Sequence, residues 1–514
     1  MDVLALMKKI FLVVAYGLAL AIVVVFLFFP KEFDAGKDFA SRLLGLPESK
    51  NTVIEDRELR IGLVQYPETI EPTSLDVSVR SLALQMYEPL VRTNAYFGIR
   101  PGLAISWGRI SPTVWKFELR PDVIFHDNKP LTIDDVIASF QRAATFKNSD
   151  LKTTVKGMTI EPKGKMSFEV RTEYPDPHLL EKLSMVLILP QQYEKKMTFA
   201  PVGTGPYKFL ALKQQSYFLF DTFASYWGAK PAFKKLKISF YPRRDDREKA
   251  LLNRDADVVA GVPPESIAKL QDDGLRIDVR PSLEVNYLVF NQKSVLKNAQ
   301  LRQAVSLSLD SKTFVDFALG YADASSQYVS SGVLGFNPVI PAKIFDIKRA
   351  TQLVKSVSSF NLIPLKISLV QGQEVIGDYL QIQLRSIGFD TAIAYRTSDE
   401  FREDYEKGAS DLYFFGWKSD LGSAADFYTQ AVRTQSQYNL GTFSDASIDT
   451  LIDLGLREFD LKKRQNIYQQ VMKKLIEQAA YGVPLFESKV IYASLPQLVF
   501  TPRADGYILA QDIR

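Results

Sequence analysis

Few residues in this chain could do chemistry by type and spacing. It has no cysteine and only two histidines, His126 and His178. The first absence removes disulfides, thiolate metal sites and cysteine nucleophiles together. The scarcity of histidine leaves a zinc or nickel site, or a Ser-His-Asp triad, almost without candidates. No H-E-x-x-H and no G-x-S-x-G occurs, and "VGTGPYKF" contains G-x-G without the lysine and Ser/Thr of a phosphate loop. His126 lies in "FHDNKP", a turn between a strand and a helix start, and His178 precedes an apolar helix start in "YPDPHLL". Held to the geometric demands on a general base, both read as structural. The pairs Asp134–Asp135 and Asp245–Asp246 read as helix-start charges that complement the dipole. The stretch "DLYFFGWKSDLGSAADF", Asp411 to Phe427, is of another kind. A run with the look of a buried strand breaks at Gly416, and Trp417, Lys418 and Asp420 follow. A ring and a carboxylate at the tip of a rigid strand suit a binding site. A solvated loop is the plain alternative for Asp420, and core packing for Trp417.

The elements that must position these groups alternate between strand and helix. "RELRIGLVQYP" alternates as a strand, "TVWKFELRPDVIF" as a half-buried strand pair, and "MSFEVRTEYP" and "FKKLKISFYP" as further strands. "LTIDDVIASFQRAATF" carries a capping box, Thr132 with Asp135, and then a helical face of Val136, Ile137 and Phe140. The second half repeats the theme. "VNYLVFNQ", "LKISLVQ", "DTAIAYR" and "LYFFGW" read as strands. "AQLRQAVSLSL", "DSKTFVDFAL", "EVIGDYLQIQLRSIGF" and "ASIDTLIDLGLREF" read as helices. In "LKKRQNIYQQVMKKLIEQAA", Ile467, Val471 and Leu475 fall on one helical face. The pattern predicts two α/β lobes, with one large α/β domain and a capping insertion as the alternative. A chain of 514 residues exceeds the size at which a single core keeps growing. Its 63 basic and 59 acidic residues are interspersed, for a net charge of +4, so no nucleic-acid partner is expected.

The N-terminus is different. Lys8 and Lys9 precede an uncharged run from Ile10 to Phe29. As a helix that run would extend roughly 30 Å, the thickness of a bilayer core. It lacks a clear small-residue cleavage site, which favours an uncleaved signal anchor over a cleaved signal. The expected layout is a cytoplasmic N-terminus (1–9), a transmembrane anchor (10–29) and a juxtamembrane linker (30–56), with the folded part extracytoplasmic.

Four stretches in order resemble one family. "MYEPLVR", "WKFELRPDVIFHDNKPLTIDDVIASFQRA", "PVGTGPYKF" and "VNYLVFNQKSVLKNAQLRQAVSLSLD" are together similar to the family 5 extracellular solute-binding proteins of ABC transporters, of the oligopeptide- and dipeptide-binding type. Asn128 stands where that family usually has glycine, and asparagine also tolerates left-handed backbone. The resemblance implies a two-lobed periplasmic-binding-protein-like fold (class II, cluster C type). Lobe I would comprise 57–92, 200–284 and 482–514, with a subdomain inserted at 93–199. Lobe II would comprise 285–481, and two strands near 286–291 and 481–486 would cross between the lobes. It further implies a monomer that captures peptides, and oligopeptides in particular, and hands them to ABC permease subunits, with no enzymatic activity, cofactor or metal. In peptide-binding relatives an aspartate three residues after Gly-Trp holds the peptide ammonium, which makes Asp420 and Trp417 candidate ligand residues. Val77, Ser78 and Phe486 match other cleft positions. Dipeptide binders also place a carboxylate-gripping arginine after V-Q, where this chain has Gly372; longer peptides or another ligand would follow. The other functions open on this scaffold are a peptide-sensing or chaperone-like receptor, or a binder of a nickel complex or sugar.

Overall fold

The computed structural model describes residues 57–514, apart from 68, 194–200, 317–319, 440–442 and 478–480. The expected cytoplasmic N-terminus, transmembrane anchor and linker (1–56) lie outside the described residues. Among those described, no helix is long and apolar enough to cross a membrane.

Alternating apolar residues put β1 (Glu58–Leu63) into a sheet, with Leu59, Ile61 and Leu63 inward. Helix α1 (Val77–Met86) follows, and its N-terminus is capped by Asp76, which accepts from the N–H groups of Ser78 and Val79. The hairpin β2 (Val91–Thr93) and β3 (Ile99–Pro101) leads to a separate antiparallel sheet. Its strands are β4 (Ala104–Ser111), β5 (Val114–Leu119), β6 (Thr159–Pro162) and β7 (Ser167–Arg171), in the order β4-β5-β7-β6. Helix α2 (Ile133–Thr145) packs here through Val136 and Phe140, and its capping box forms: the Thr132 N–H donates to Asp135 at 2.8 Å. The residues after β5 differ from the expected strand pair. Val123 and Phe125 are buried in a tight turn closed by Phe125 N–H, which donates to the Lys129 carbonyl, and Asn128 takes φ +69° there. Helix α3 (Leu179–Met185) closes this region.

Among the described residues the main sheet has eleven strands. On one side of it β1 lies between β10 (Lys235–Phe240) and β11 (Val258–Ala260), and β9 (Tyr217–Thr222) and β8 (Tyr207–Lys213) continue beyond β10. On the other side are β14 (Ile363–Val370), β15 (Phe389–Arg396) and β16 (Leu412–Lys418). Two long strands join the halves: β12 (Arg276–Phe290) and β17 (Gly482–Ser494). They pair antiparallel from Arg276↔Ser494 to Val289↔Gly482, and the register shifts between Pro281 and Val285. Proline offers no N–H to a ladder, so a bulge here bends the sheet between its halves. The short strand β13 (Ala322–Ala324) pairs with β17 at Phe486 to Ser488.

Each half has its own core. Leu59, Tyr207, Leu236 and Val258 belong to the first. The second half is covered on both faces: Leu412 and Phe414 pack on one side, and Tyr413 with Phe415 on the other. That double covering explains why the strand reads as a continuous apolar run. Ile467, Val471 and Leu475 bury one face of the helix Leu461–Glu477 against the second of these cores. Of the expected helix in "DSKTFVDFAL", Ser311–Phe314 is helical.

Candidate functional site

Strand β16 runs through Gly416 and ends at Lys418, beside Glu284 of β12. A Cβ on Gly416 would lie 2.8 Å from Glu284 Oε1, so the glycine leaves room for that side chain and makes no turn. The loop that follows is organised by one carboxylate. Asp426 Oδ2 accepts from the Ser419 hydroxyl (2.9 Å) and from the N–H groups of Asp420 (2.8 Å) and Leu421 (3.1 Å). Its Oδ1 accepts from Phe427 N–H (2.7 Å) and, more distantly, from the Trp417 indole (3.4 Å). Burial pushes the Asp426 carboxyl up to about 7, against donors that favour its ionised form. The result is a rigid loop with the Asp420 side chain free to project.

Asp420 and Lys418 project into a cavity of about 740 Å³ walled on its other sides by the first half of the fold. The opposite wall carries Arg80 of α1, Met185 of α3, the segment from Thr93 to Phe97, and the C-terminal residues Arg503, Asp505 and Tyr507. The Asp420 carboxyl is open to the cavity yet crowded elsewhere by protein. The crowding shifts its pKa upward, and the Lys418 and Arg80 cations pull it back. Among the described residues no cation lies within ion-pairing distance of it. The Lys418 ammonium sits 5.1 Å from the centre of the Tyr507 ring. Arg503 and Asp505 form a buried ion pair at 2.6 Å, and Arg503 also donates to the Thr93 carbonyl. The C-terminal segment is fastened to α1 by Gln85, which donates to the Ile508 carbonyl and accepts from Ala510 N–H.

The cavity floor is held by the sequence stretches that resemble family signatures. Glu88 accepts from Thr204 Oγ1, Tyr226 Oη and Trp227 Nε1 at 2.8–3.0 Å, and burial raises its pKa. His126 clamps the Gly203–Gly205 turn: its Nδ1 accepts from Gly203 N–H (3.3 Å) and its Nε2–H donates to the Gly205 carbonyl (2.9 Å). Burial lowers the His126 pKa to about 4, so the ring is a neutral structural clamp. The turn presses on the end of α1, where Gly205 N–H donates to the Met86 carbonyl. A Cβ on Gly203 would fall 2.0 Å from that carbonyl oxygen. His178 is equally structural; its Nε2 meets Tyr468 Oη at 3.1 Å, and burial lowers its pKa to about 3.

Of the five residues singled out in the sequence, Asp420 lines the cavity. Trp417 stands just behind it, half-buried, edge-on to Phe427 and Tyr438. Val77 and Ser78 form the first turn of α1, with Ser78 buried. Phe486 packs with Phe314 and Phe414 in the core of the second half. None of these four is among the residues that wall the cavity. Gly372 lies at an exposed turn with φ +91°, outside the cavity. Sequence reasoning missed Arg80, Arg503, Asp505, Tyr507 and the Asp426 hub. Asp426 had a weak signal, an aspartate just inside a Ser-capped helix start; the others had none. Among the described residues no group of three His, Cys, Asp or Glu could hold a metal ion.

The sequence profile of "Bacterial extracellular solute-binding proteins, family 5 Middle" matches residues 98–439. The nickel-binding protein NikA of Staphylococcus aureus is 24% identical over 436 residues, covering 81% of this chain and 86% of its own. The dipeptide-binding protein of Escherichia coli is 23% identical over 424 residues, covering 74% and 79%. The structure of the periplasmic binding protein DppA from Helicobacter pylori in complex with peptide STSA superposes with a TM-score of 0.76. That match covers 89% of this chain and 98% of the other at 20% identity. The last likeness establishes the fold, an α/β two-lobed binding-protein fold. The profile covers well over half of the chain, and with it the chain belongs to the family 5 solute-binding proteins of ABC transporters.

Proposed function

We propose that this chain captures peptides with a free N-terminus in the interlobe cavity and delivers them to an ABC permease. The observation that carries the reading is Asp420: a carboxylate on a rigid loop, turned into a cavity, without an ion-pair partner among the described residues. A carboxylate facing such a cavity is matched by a ligand ammonium, since a charge that ligand binding strips of water needs a partner. Asp420 from lobe II and the lobe I wall both touch the ligand only when the lobes are closed, so ligand favours the closed state. Trp417 supports the loop that presents Asp420. Val77, Ser78 and Phe486, which do not wall the cavity, serve the site from behind it as packing. The apolar run at 10–29 holds the protein at the membrane with the folded part outside, and the protein acts as a monomer.

The test is calorimetry on the full chain with peptides recovered from it by mass spectrometry. Asp420→Ala is expected to weaken a free-amine peptide by about 2–5 kcal/mol, and N-acetylation of the peptide to have a similar effect on the unaltered protein. Equal affinity for acetylated and free peptides would remove the assignment.

A further inference from the structure

We propose that Arg80 receives the ligand's carboxylate, so that the cavity takes short zwitterionic peptides with both termini inside it. The inference rests on the assignment of the ligand ammonium to Asp420. Arg80 is 3% exposed and lines the cavity from α1. One amino group of its guanidinium is tied down, donating to the carbonyls of Met185 (2.9 Å) and Pro72 (3.3 Å). Its Nε–H has no acceptor but is covered by protein, so a ligand meets the outer part of the guanidinium; among the described residues no carboxylate comes within ion-pairing distance. A guanidinium carries five N–H donors in a fixed fork that matches a carboxylate, and it does not release its proton. A buried guanidinium held in place but without an anion is therefore a site prepared for one.

The other cations of the cavity do not have this character. Arg503 is neutralised by Asp505, and Arg92 reaches the buried Glu88 at 3.9 Å. Lys418 is half-buried beside the Tyr507 ring, and Arg100 and Arg514, which also line the cavity, are exposed. Burial lowers the Arg80 pKa, while Tyr507, Asp420 and Asp505 counter it, which is the balance expected of a cation only partly compensated. The Tyr507 hydroxyl stands beside Arg80 and can donate to the same carboxylate. Asp420 and Arg80 thus form an unjoined pair, one on each lobe. A zwitterion placed between them satisfies both and bridges the lobes. Its α-ammonium would face Asp420 and its carboxylate Arg80. A volume of 740 Å³ suits a ligand of a few residues, since pockets of roughly 300–1,000 Å³ hold drug-sized molecules. This reverses the lean toward long peptides that Gly372 alone suggests, because a cation is supplied from lobe I instead.

The probe is a mixed-sequence library of di-, tri- and tetrapeptides, each in free-acid and C-terminally amidated form. The full chain is incubated with it, and captured peptides are counted by mass spectrometry. The free acids should be retained over the amides by at least about tenfold. Arg80→Met should bring that ratio to about one, and Arg80→Lys should retain part of it. A purely structural arginine would lower both forms equally and leave the ratio unchanged. The ratio on the unaltered protein does not depend on how well a variant folds. Capture of free-amine peptides with no discrimination against amides overturns the Arg80 assignment alone. Failure to capture any peptide overturns both it and the peptide reading beneath it.

Discussion

His126 offers a sharp physical test, because the chain has only two histidines to observe. The perturbation is acidification. An imidazole with an ordinary pKa of 6.5 is held at about 4 in the fold by burial, although its bond to the Gly205 carbonyl partly opposes the shift. As pH falls below 6.5 the unfolded chain binds a proton that the folded chain refuses. The unfolded state then holds more protons, so stability falls with pH from about 6.5 to about 4 and not further. The gap of roughly 2.5 units sets a limit of about 3 kcal/mol at 1.36 kcal/mol per unit, of which about 2 kcal/mol is already lost at pH 5. Carboxyls with raised values, the buried Glu88, Asp426 and Glu487 among them, act in the opposite direction, so the quantity to compare is a difference between proteins. His126→Gln removes the titration. Between pH 7 and pH 5 its denaturation midpoint should move less than that of the unaltered chain by an amount worth about 2 kcal/mol. The two imidazole resonances, followed by NMR, should both stay in the neutral position down to pH 5. A His126 resonance that titrates near 6.5, or an identical acid loss in the variant, would refute the clamp.

The loop behind Asp420 gives a second expectation. Asp426→Ala leaves the N–H groups of Asp420, Leu421 and Phe427 and the Ser419 hydroxyl without their acceptor, and should cost about 3–5 kcal/mol in urea unfolding together with a loss of ligand affinity. A variant within about 0.5 kcal/mol of the parent would show that the hub does not organise the loop. Gly203→Ala drives a Cβ into the Met86 carbonyl and should destabilise by about 2–4 kcal/mol, visible as a lower melting temperature; an unchanged melting curve would contradict the close approach.

Local physics carried much of the fold into the sequence. The Thr132–Asp135 capping box, the left-handed Asn128 and the buried face of Ile467, Val471 and Leu475 each depend on residues a few positions apart. Where an expectation and the structure differ, a long-range contact is the cause. Val123 and Phe125 are buried by tertiary packing in a turn, so alternation was mistaken for a strand. Gly416 was read as a strand break, yet the strand continues and the glycine makes room for Glu284 across the ladder.

By itself the sequence determined most element types, the family and the one carboxylate at the strand tip. Those follow from periodicity, from turn chemistry and from motifs that lie within short stretches. Only the tertiary structure decided what faces Asp420. Arg80 and Tyr507 are 427 positions apart in the sequence, and they meet because β12 and β17 carry the chain across to the other half of the sheet and back. The same folding turned Val77, Ser78 and Phe486 away from the cavity wall. A pairing of charges across a cavity has no local signature, since its energy arises only when desolvation and the opposite lobe bring both groups to one place.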